Sequence, residues 1–261
     1  MTVLDAFSLK GKTALVTGGA GLYGRQIVEA LAEADARVFM ASRNLDALLA
    51  FRAKLAERGY EVTALKVDQG EEKSILALRD EILKQAGRMD ILVNNAVLRP
   101  MKTGYKDNAL TFHESMRVNA TGLFIITRAV GDVMAGQGSG SIINIGSIHG
   151  LIAPDPTIYE GTEMHGWYPD YFFHKGGMIN FTRFIASYYG AKGIRCNCLS
   201  PGGFWTSKMP AAFVTSYSRR TFLGRLANES DLKGAVVFLA SDASAYVTGT
   251  NLPIDGGYTA K

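Results

Sequence analysis

Tyr171 and Lys175 stand four residues apart in Tyr171–Phe172–Phe173–His174–Lys175. That interval puts a phenol and an ammonium on one face of a helix. A phenol is scarcely ionised at neutral pH, and a neighbouring cation favours its anion. Such a group can pass a proton to or from a substrate oxygen while hydride moves at the adjoining carbon. Ser147, just beyond the apolar run Ser141–Ile145, can hydrogen-bond the same oxygen and hold it in place. The interval alone is weak evidence in a chain with 11 tyrosines, and Tyr188 and Lys192 repeat it. That second pair fails on context, because Gly190 interrupts it and Lys192 falls in the turn before the next strand.

A second chemistry is phosphate binding. Thr17–Gly18–Gly19–Ala20–Gly21–Leu22–Tyr23–Gly24 follows an apolar run and opens a helical one. Glycines at such a junction permit a tight turn and let backbone N–H groups approach a diphosphate at a helix N-terminus. Gly18, Gly21, Leu22, Tyr23 and Gly24 are therefore candidate cofactor residues, although a plain strand–helix turn would use the same glycines. The next apolar run ends in Ala41–Ser42–Arg43, where an NAD-selective fold places a carboxylate for the ribose 2′-hydroxyl. Ser42 and Arg43 instead suit a 2′-phosphate, which a guanidinium binds through charge-assisted hydrogen bonds. NADP(H) is expected over NAD(H), which the same fold can also take. His113, His149, His165 and His174 show no metal-ligand spacing, so no metal site is expected.

Val- and Ile-rich runs predict strands at Thr13–Thr17, Arg37–Ala41, Val62–Val67, Ile91–Asn94, Ser141–Ile145, Ile194–Leu199 and Asn251–Ile254. Helix-period stretches separate them at Tyr23–Glu33, Leu45–Glu57, Glu71–Gln85, Ala109–Ala135, Tyr171–Tyr189 and Glu229–Ala240. Strict alternation with apolar strands implies an α/β fold, a doubly wound Rossmann-type parallel sheet with helices on both faces. No linker or repeat divides residues 1–261, so a single domain is expected, with ligands beyond the carboxyl ends of the strands. Residues 147–170 and 201–220 resist regular assignment and are expected to be substrate loops.

Composition narrows the classes further. With 28 Lys+Arg against 24 Asp+Glu the net charge is only +4, which argues against a nucleic-acid partner. A hydrophobic content of 47% excludes intrinsic disorder. No run approaches about 18 uninterrupted apolar residues, so no membrane span is expected. Asp5 stands where a signal peptide carries basic residues, and Cys196 and Cys198 are read as reduced core thiols. A cytoplasmic protein is the expectation.

Taken together, the ordered motifs resemble the short-chain dehydrogenase/reductase family of the single-domain type, over essentially the whole chain. Thr17–Gly18 with Gly24 is similar to the family's cofactor loop, and Asp68 to its adenine-binding acid. Asn94–Asn95–Ala96 resembles the Asn-Asn-Ala-Gly segment, which brings Asn95 and Ala96 to the cofactor. Asn119 in Val118–Asn119–Ala120–Thr121–Gly122 matches the helical catalytic asparagine. Pro201–Gly202–Gly203–Phe204–Trp205–Thr206 resembles the Pro-Gly turn at the nicotinamide, implicating Pro201, Gly202, Phe204 and Thr206. By this resemblance Tyr171 is the general acid/base, Lys175 favours its anion and holds the nicotinamide ribose, Ser147 fixes the substrate oxygen, and Asn119 supports a relay water. The resemblance also implies a homo-oligomer, a dimer or homotetramer, formed through the helices at Ala109–Ala135 and Tyr171–Tyr189.

The chain departs from the family pattern at three places. Leu22 replaces a glycine, so that Gly18, Gly21 and Gly24 are spaced as in the larger, extended branch, whose extra domain this chain is too short to hold. Val97 replaces the glycine after Asn-Asn-Ala. Tyr171 follows Ser147 by 24 positions, and the extra stretch carries Asp155, Tyr159, Glu160, Glu163, His165, Trp167 and Tyr168. Its Ile158–Tyr159–Glu160–Gly161–Thr162 segment is similar to that of members associated with carbohydrate or glycan metabolism. Carboxylates, hydroxyls and rings could bracket a polyhydroxylated substrate, and a surface loop or subunit contact would use the same residues. Arg99, Lys102, Lys208, Arg219 and Arg220 cluster near the expected site, and one facing inward would suit a carboxylate or phosphate. The expected activity is NAD(P)(H)-dependent interconversion of a secondary alcohol and a ketone on a sugar or sugar acid. The alternatives are a ketoreductase of acyl or small carbonyl substrates and, in another class, a non-catalytic dinucleotide-binding regulator.

Overall fold

β1 (Thr13–Thr17) is buried at all five positions, including both threonines. A strand apolar on both faces belongs in a parallel sheet covered on both sides, and that is where it lies. The computed structural model of the chain describes residues 2–260. Seven parallel strands form one sheet in the order β3-β2-β1-β4-β5-β6-β7. They are β1, β2 (Arg37–Ser42), β3 (Val62–Lys66), β4 (Ile91–Asn94), β5 (Gly140–Ile145), β6 (Ile194–Pro201) and β7 (Asn251–Ile254). The order reverses between β1 and β4, so the cofactor crevice of such folds falls beyond their carboxyl ends.

Alternation along β1 divides the core. Ala14 and Val16 face a cluster with Ile27, Val28 and Leu31 of α1 (Leu22–Glu33), Leu48 and Leu55 of α2 (Leu45–Ala56), and Val236 and Leu239 of the C-terminal helix Lys233–Ala240. Leu15 faces the other layer, with Ile75, Leu78 and Ile82 of α3 (Glu72–Ala86) and Ile126, Val130 and Met134 further along. The long helical stretch expected over Ala109–Ala135 runs from α4 (Ala109–Met116) through a π-turn, Arg117–Gly122, into α5 (Leu123–Gln137). Gly138, at φ 73°, ends it in the left-handed conformation. By length and composition this stretch could cross a membrane, but more than half of its most apolar window is buried in the protein. Cys196 and Cys198 on β6 are both free and buried.

Most boundaries shift by one or two residues from expectation, and three differences have a clear physical reason. α6 (Pro169–Tyr189) begins at Pro169, because proline's fixed φ and missing N–H suit the first helical turn. Residues 201–220 are not irregular throughout: α7 (Ala211–Arg220) occupies their second half. Phe213 and Tyr217, one turn apart, drive that helix onto a small cluster with Ile148, Ile158, Leu226 and Tyr258. α8 (Lys233–Ala240) starts later than Glu229. The Asp231 carboxylate accepts from the Asn228 N–H and pairs with Arg225, and Ser230 donates to Asn228, which holds these residues in turns.

Candidate active site

The carboxyl ends of β1 to β6 deliver the expected residues to one edge of the sheet. After β1, Gly18 takes φ 67°, and a Cβ there would stand 2.9 Å from the Ala96 Cα. Asn95 closes this approach by donating from Nδ2 to the carbonyls of Thr17 and Gly18, each at 3.0 Å. The Thr17 hydroxyl accepts from the N–H groups of Asn95 and Ala96. Gly24 is the tightest position, since a Cβ would lie 2.1 Å from the Gly18 carbonyl oxygen. Gly21 is the N-cap of α1 and no side chain caps the helix, so the first N–H groups, those of Leu22 and Tyr23 among them, have no side-chain cap partner. This donor set fits a diphosphate. The Leu22 side chain itself is exposed, so its contribution rests on its backbone. The Tyr23 hydroxyl donates to the Gly202 carbonyl and its ring meets Phe204 edge-on, tying the cofactor loop to the Pro201–Thr206 turn.

At the adenine end, Ser42 donates to the Asn44 carbonyl and Arg43 is exposed, with no ion pair among the described residues. The Asp68 carboxylate accepts from the Gly70 N–H, while the Asp68 N–H donates to Ser74. Arg117 donates to the Gly70 carbonyl and to Glu114.

At the chemical end, Ser147 is buried in extended backbone beyond β5, its hydroxyl accepting from the His149 N–H at 3.1 Å. Tyr171 lies in the first turn of α6 and Lys175 one turn on. Lys175 is buried, and its Nζ donates to the Ile145 carbonyl at 2.5 Å and stands 5.7 Å from the centre of the Tyr171 ring. Burial holds its amine down to about 8. An amine poised there can exchange a proton at working pH. The His149 ring lies tilted against Phe172, 4.6 Å between centres, and its imidazole is pushed down to about 4 by burial and then by the charge of Arg99. His174 is held down to about 3 by burial, then by Lys175 and Arg99. Both rings are therefore neutral at physiological pH. No metal-ligating cluster occurs among the described residues.

Asn119 sits in the π-turn, a distortion that often marks functional positions. Its amide clamps the Leu98 peptide from both sides, accepting from the N–H at 2.8 Å and donating to the carbonyl at 2.7 Å. It also donates to the Ser115 hydroxyl, which donates to the Asp170 carboxylate at 2.5 Å. Ser115 and Asp170 escaped sequence reasoning. Ser115 stands one helical turn before Asn119, an interval that could have been read, but its partner lies 55 residues away.

The two substrate loops meet. Arg220 of α7 pairs with the Asp155 carboxylate at 2.9 Å and donates to the Thr157 hydroxyl, and Tyr159 stacks on Phe213. Asp155 and Tyr159, expected to face a substrate, are thus engaged in holding α7. Nearer Tyr171 stand Tyr168, on which His165 stacks, and Arg99.

Comparison with known proteins identifies the chain's relatives. A family model described as enoyl-(acyl carrier protein) reductase matches residues 21–259. D-threitol dehydrogenase of Mycolicibacterium smegmatis is 31% identical, over 98% of this chain and 95% of its own length. Galactitol 2-dehydrogenase (L-tagatose-forming) of Cereibacter sphaeroides is 31% identical over 99% of both chains. The crystal structure of a gluconate 5-dehydrogenase from Burkholderia cenocepacia, in complex with NADP and tartrate, superposes with a TM-score of 0.89 at 32% identity, covering 100% of each chain.

Proposed function

The chain belongs to the short-chain dehydrogenase/reductase family, oxidoreductases acting on CH–OH groups, and on that premise we propose that it interconverts a secondary alcohol and a ketone on a sugar or sugar acid, using NADP(H). The observation that carries this reading is the buried Lys175 beside the Tyr171 ring, with Ser147 at the end of the neighbouring strand. In the oxidative direction Tyr171 takes the proton of the substrate hydroxyl as the carbinol hydrogen leaves as hydride. NADP, when bound, supplies the hydride acceptor. Ser147 holds the oxygen, Lys175 stabilises the phenolate, and Asn119 is assigned to the relay that returns the proton to solvent. Reduction runs through the same groups in reverse.

Arg43, exposed and unpaired among the described residues, supports the preference for NADP(H) through its charge toward a 2′-phosphate. The relatives' printed substrates, threitol, galactitol and gluconate, support a polyhydroxylated substrate. So do the Arg99, His165 and Tyr168 side chains gathered beside Tyr171. We place the protein in the cytoplasm, where free Cys196 and Cys198 are stable, as a dimer or tetramer. Exposed Phe124, Phe173, Phe184 and Tyr188 on α5 and α6 are the faces for assembly, and light scattering that returned a monomer would remove that part.

The test is turnover with NADP+ and with NAD+ on a panel of alditols, aldonates and simple secondary alcohols. Higher kcat/KM with NADP+ on an alditol or aldonate than on the simple alcohols is expected. Turnover confined to the simple alcohols overturns the substrate reading.

A further inference from the structure

Five cations lay near the expected site by sequence, and their surroundings separate them. Arg220 is paired with Asp155 in the loop that carries α7. Lys102, Lys208 and Arg219 are exposed, and no bond to the catalytic residues involves them. Arg99 is exposed as well, but it differs from all four in what it touches. Its guanidinium lies 4.6 Å from the centre of the Tyr171 ring and 5.2 Å from that of Tyr168. Among the described residues it makes no ion pair and no hydrogen bond.

Its position is held from behind. Leu98, the residue before it, has both its N–H and its carbonyl clamped by the Asn119 amide. Asn119 leans on Ser115, and Ser115 on Asp170, the residue before Tyr171. The chain from half-buried Leu98 through buried Asn119, Ser115 and Asp170 thus links the Arg99 loop to the start of α6, so the guanidinium and the phenol are placed by one framework. Two aromatic rings lie against the guanidinium, and among the described residues none of its N–H donors is bonded within the protein.

Building on the reading above of a polyhydroxylated substrate, we propose that Arg99 is the carboxylate-binding residue of the substrate site, and that the preferred substrate class is the hydroxy acid, an aldonate or uronate, over the neutral polyol. A planar fork of N–H donors matches a carboxylate in two parallel hydrogen bonds. Because the same ring that supports Arg99 carries the reacting hydroxyl, the carboxylate and the reacting carbinol must belong to one small molecule, separated by a few carbons. Arg99 also bears on the electrostatics around it, since its charge adds to burial in pushing down His149, His174 and Lys175. An anionic carboxylate there offsets the Arg99 charge that bears on buried Lys175; a neutral polyol does not.

The test is calorimetric titration of the enzyme–NADP complex with D-gluconate and with glucitol, in the wild type and in Arg99→Met and Arg99→Lys, beside turnover on the same pair. One charge-assisted bidentate contact corresponds to about a 10- to 150-fold preference. Gluconate is expected to bind the wild type at least tenfold more tightly than glucitol. Arg99→Met removes that preference by weakening gluconate binding at least tenfold, while Arg99→Lys restores part of it. Equal binding of the two ligands, binding of neither, or a preference that survives in Arg99→Met overturns the proposal. Glucitol turnover that persists in that case leaves the polyol reading standing; Arg99-dependent gluconate binding with no turnover of gluconate overturns the hydroxy acid as the substrate class.

Discussion

Replacing Lys175 by Met keeps the apolar length of the side chain and removes the ammonium. In the wild type, burial first and Arg99 second hold the Lys175 amine down to about 8 from its ordinary 10.5, against an opposing pull from Cys198. Between those two values the unfolded chain binds the proton and the folded chain does not, so stability rises with pH through that window. Below about pH 8 the folded chain bears the whole cost of a buried ammonium, and above about 10.5 it bears none. At about 1.4 kcal/mol per pH unit the difference is about 3 kcal/mol. The Met variant avoids that cost but leaves the Ile145 carbonyl without its donor, which costs about 1–3 kcal/mol. At pH 7 the two effects nearly cancel, and the two proteins should melt within about 3 °C of each other. By pH 9.5 the wild type has recovered about 2 kcal/mol. With an unfolding entropy of about 2.1 cal/mol/K per residue over 261 residues, that is about 4 °C. Thermal melting by circular dichroism, without cofactor and at one protein concentration, reads the difference directly. A wild-type-minus-variant gap that stays constant from pH 7 to 9.5, or moves the other way, refutes a charge cost at Lys175.

Two further substitutions probe the cofactor end. Arg43→Ala should weaken NADPH binding about 10- to 100-fold and NADH binding less than threefold, by fluorescence titration, because the lost contact is to the 2′-phosphate alone; equal losses for both would count against it. Gly24→Ala puts a methyl 2.1 Å from the Gly18 carbonyl oxygen, so α1 must withdraw by about 1 Å from the loop whose N–H groups receive the diphosphate. Both cofactors should then lose at least about 30-fold in affinity, one misaligned charge-assisted contact being worth about 2 kcal/mol, and near-normal binding would show that the loop is softer than its packing implies.

The parts of the site that the sequence revealed are those written in local code. Gly18 and Gly24 are forced by close backbone approach, and Tyr171 with Lys175 by one helical turn, so spacing alone exposed them. The sheet was equally open to reading, because β1, β4 and β5 are built around Val, Leu and Ile and are buried on both faces, as a covered parallel sheet requires. What stayed hidden depends on which way a side chain faces or on partners far along the chain. Arg99 was one of five cations until the structure put it against the Tyr171 ring. Asp170 and Ser115 look like ordinary helix-surface residues and are instead a buried pair joining α4 to α6. α7 was masked by the Gly, Pro and Trp ahead of it, although Phe213 and Tyr217 already carried the interval of its buried face.

The most direct test of the central claim is the turnover of Tyr171→Phe beside the wild type, followed by nicotinamide absorbance with NADP+ and an alditol or aldonate the wild type accepts. The variant keeps the ring that supports Arg99 and lacks only the proton-bearing oxygen. Turnover should fall about 10²- to 10⁴-fold, with NADPH affinity and melting temperature unchanged. A variant that bound NADPH normally and kept most of its turnover would contradict Tyr171 as the general acid/base.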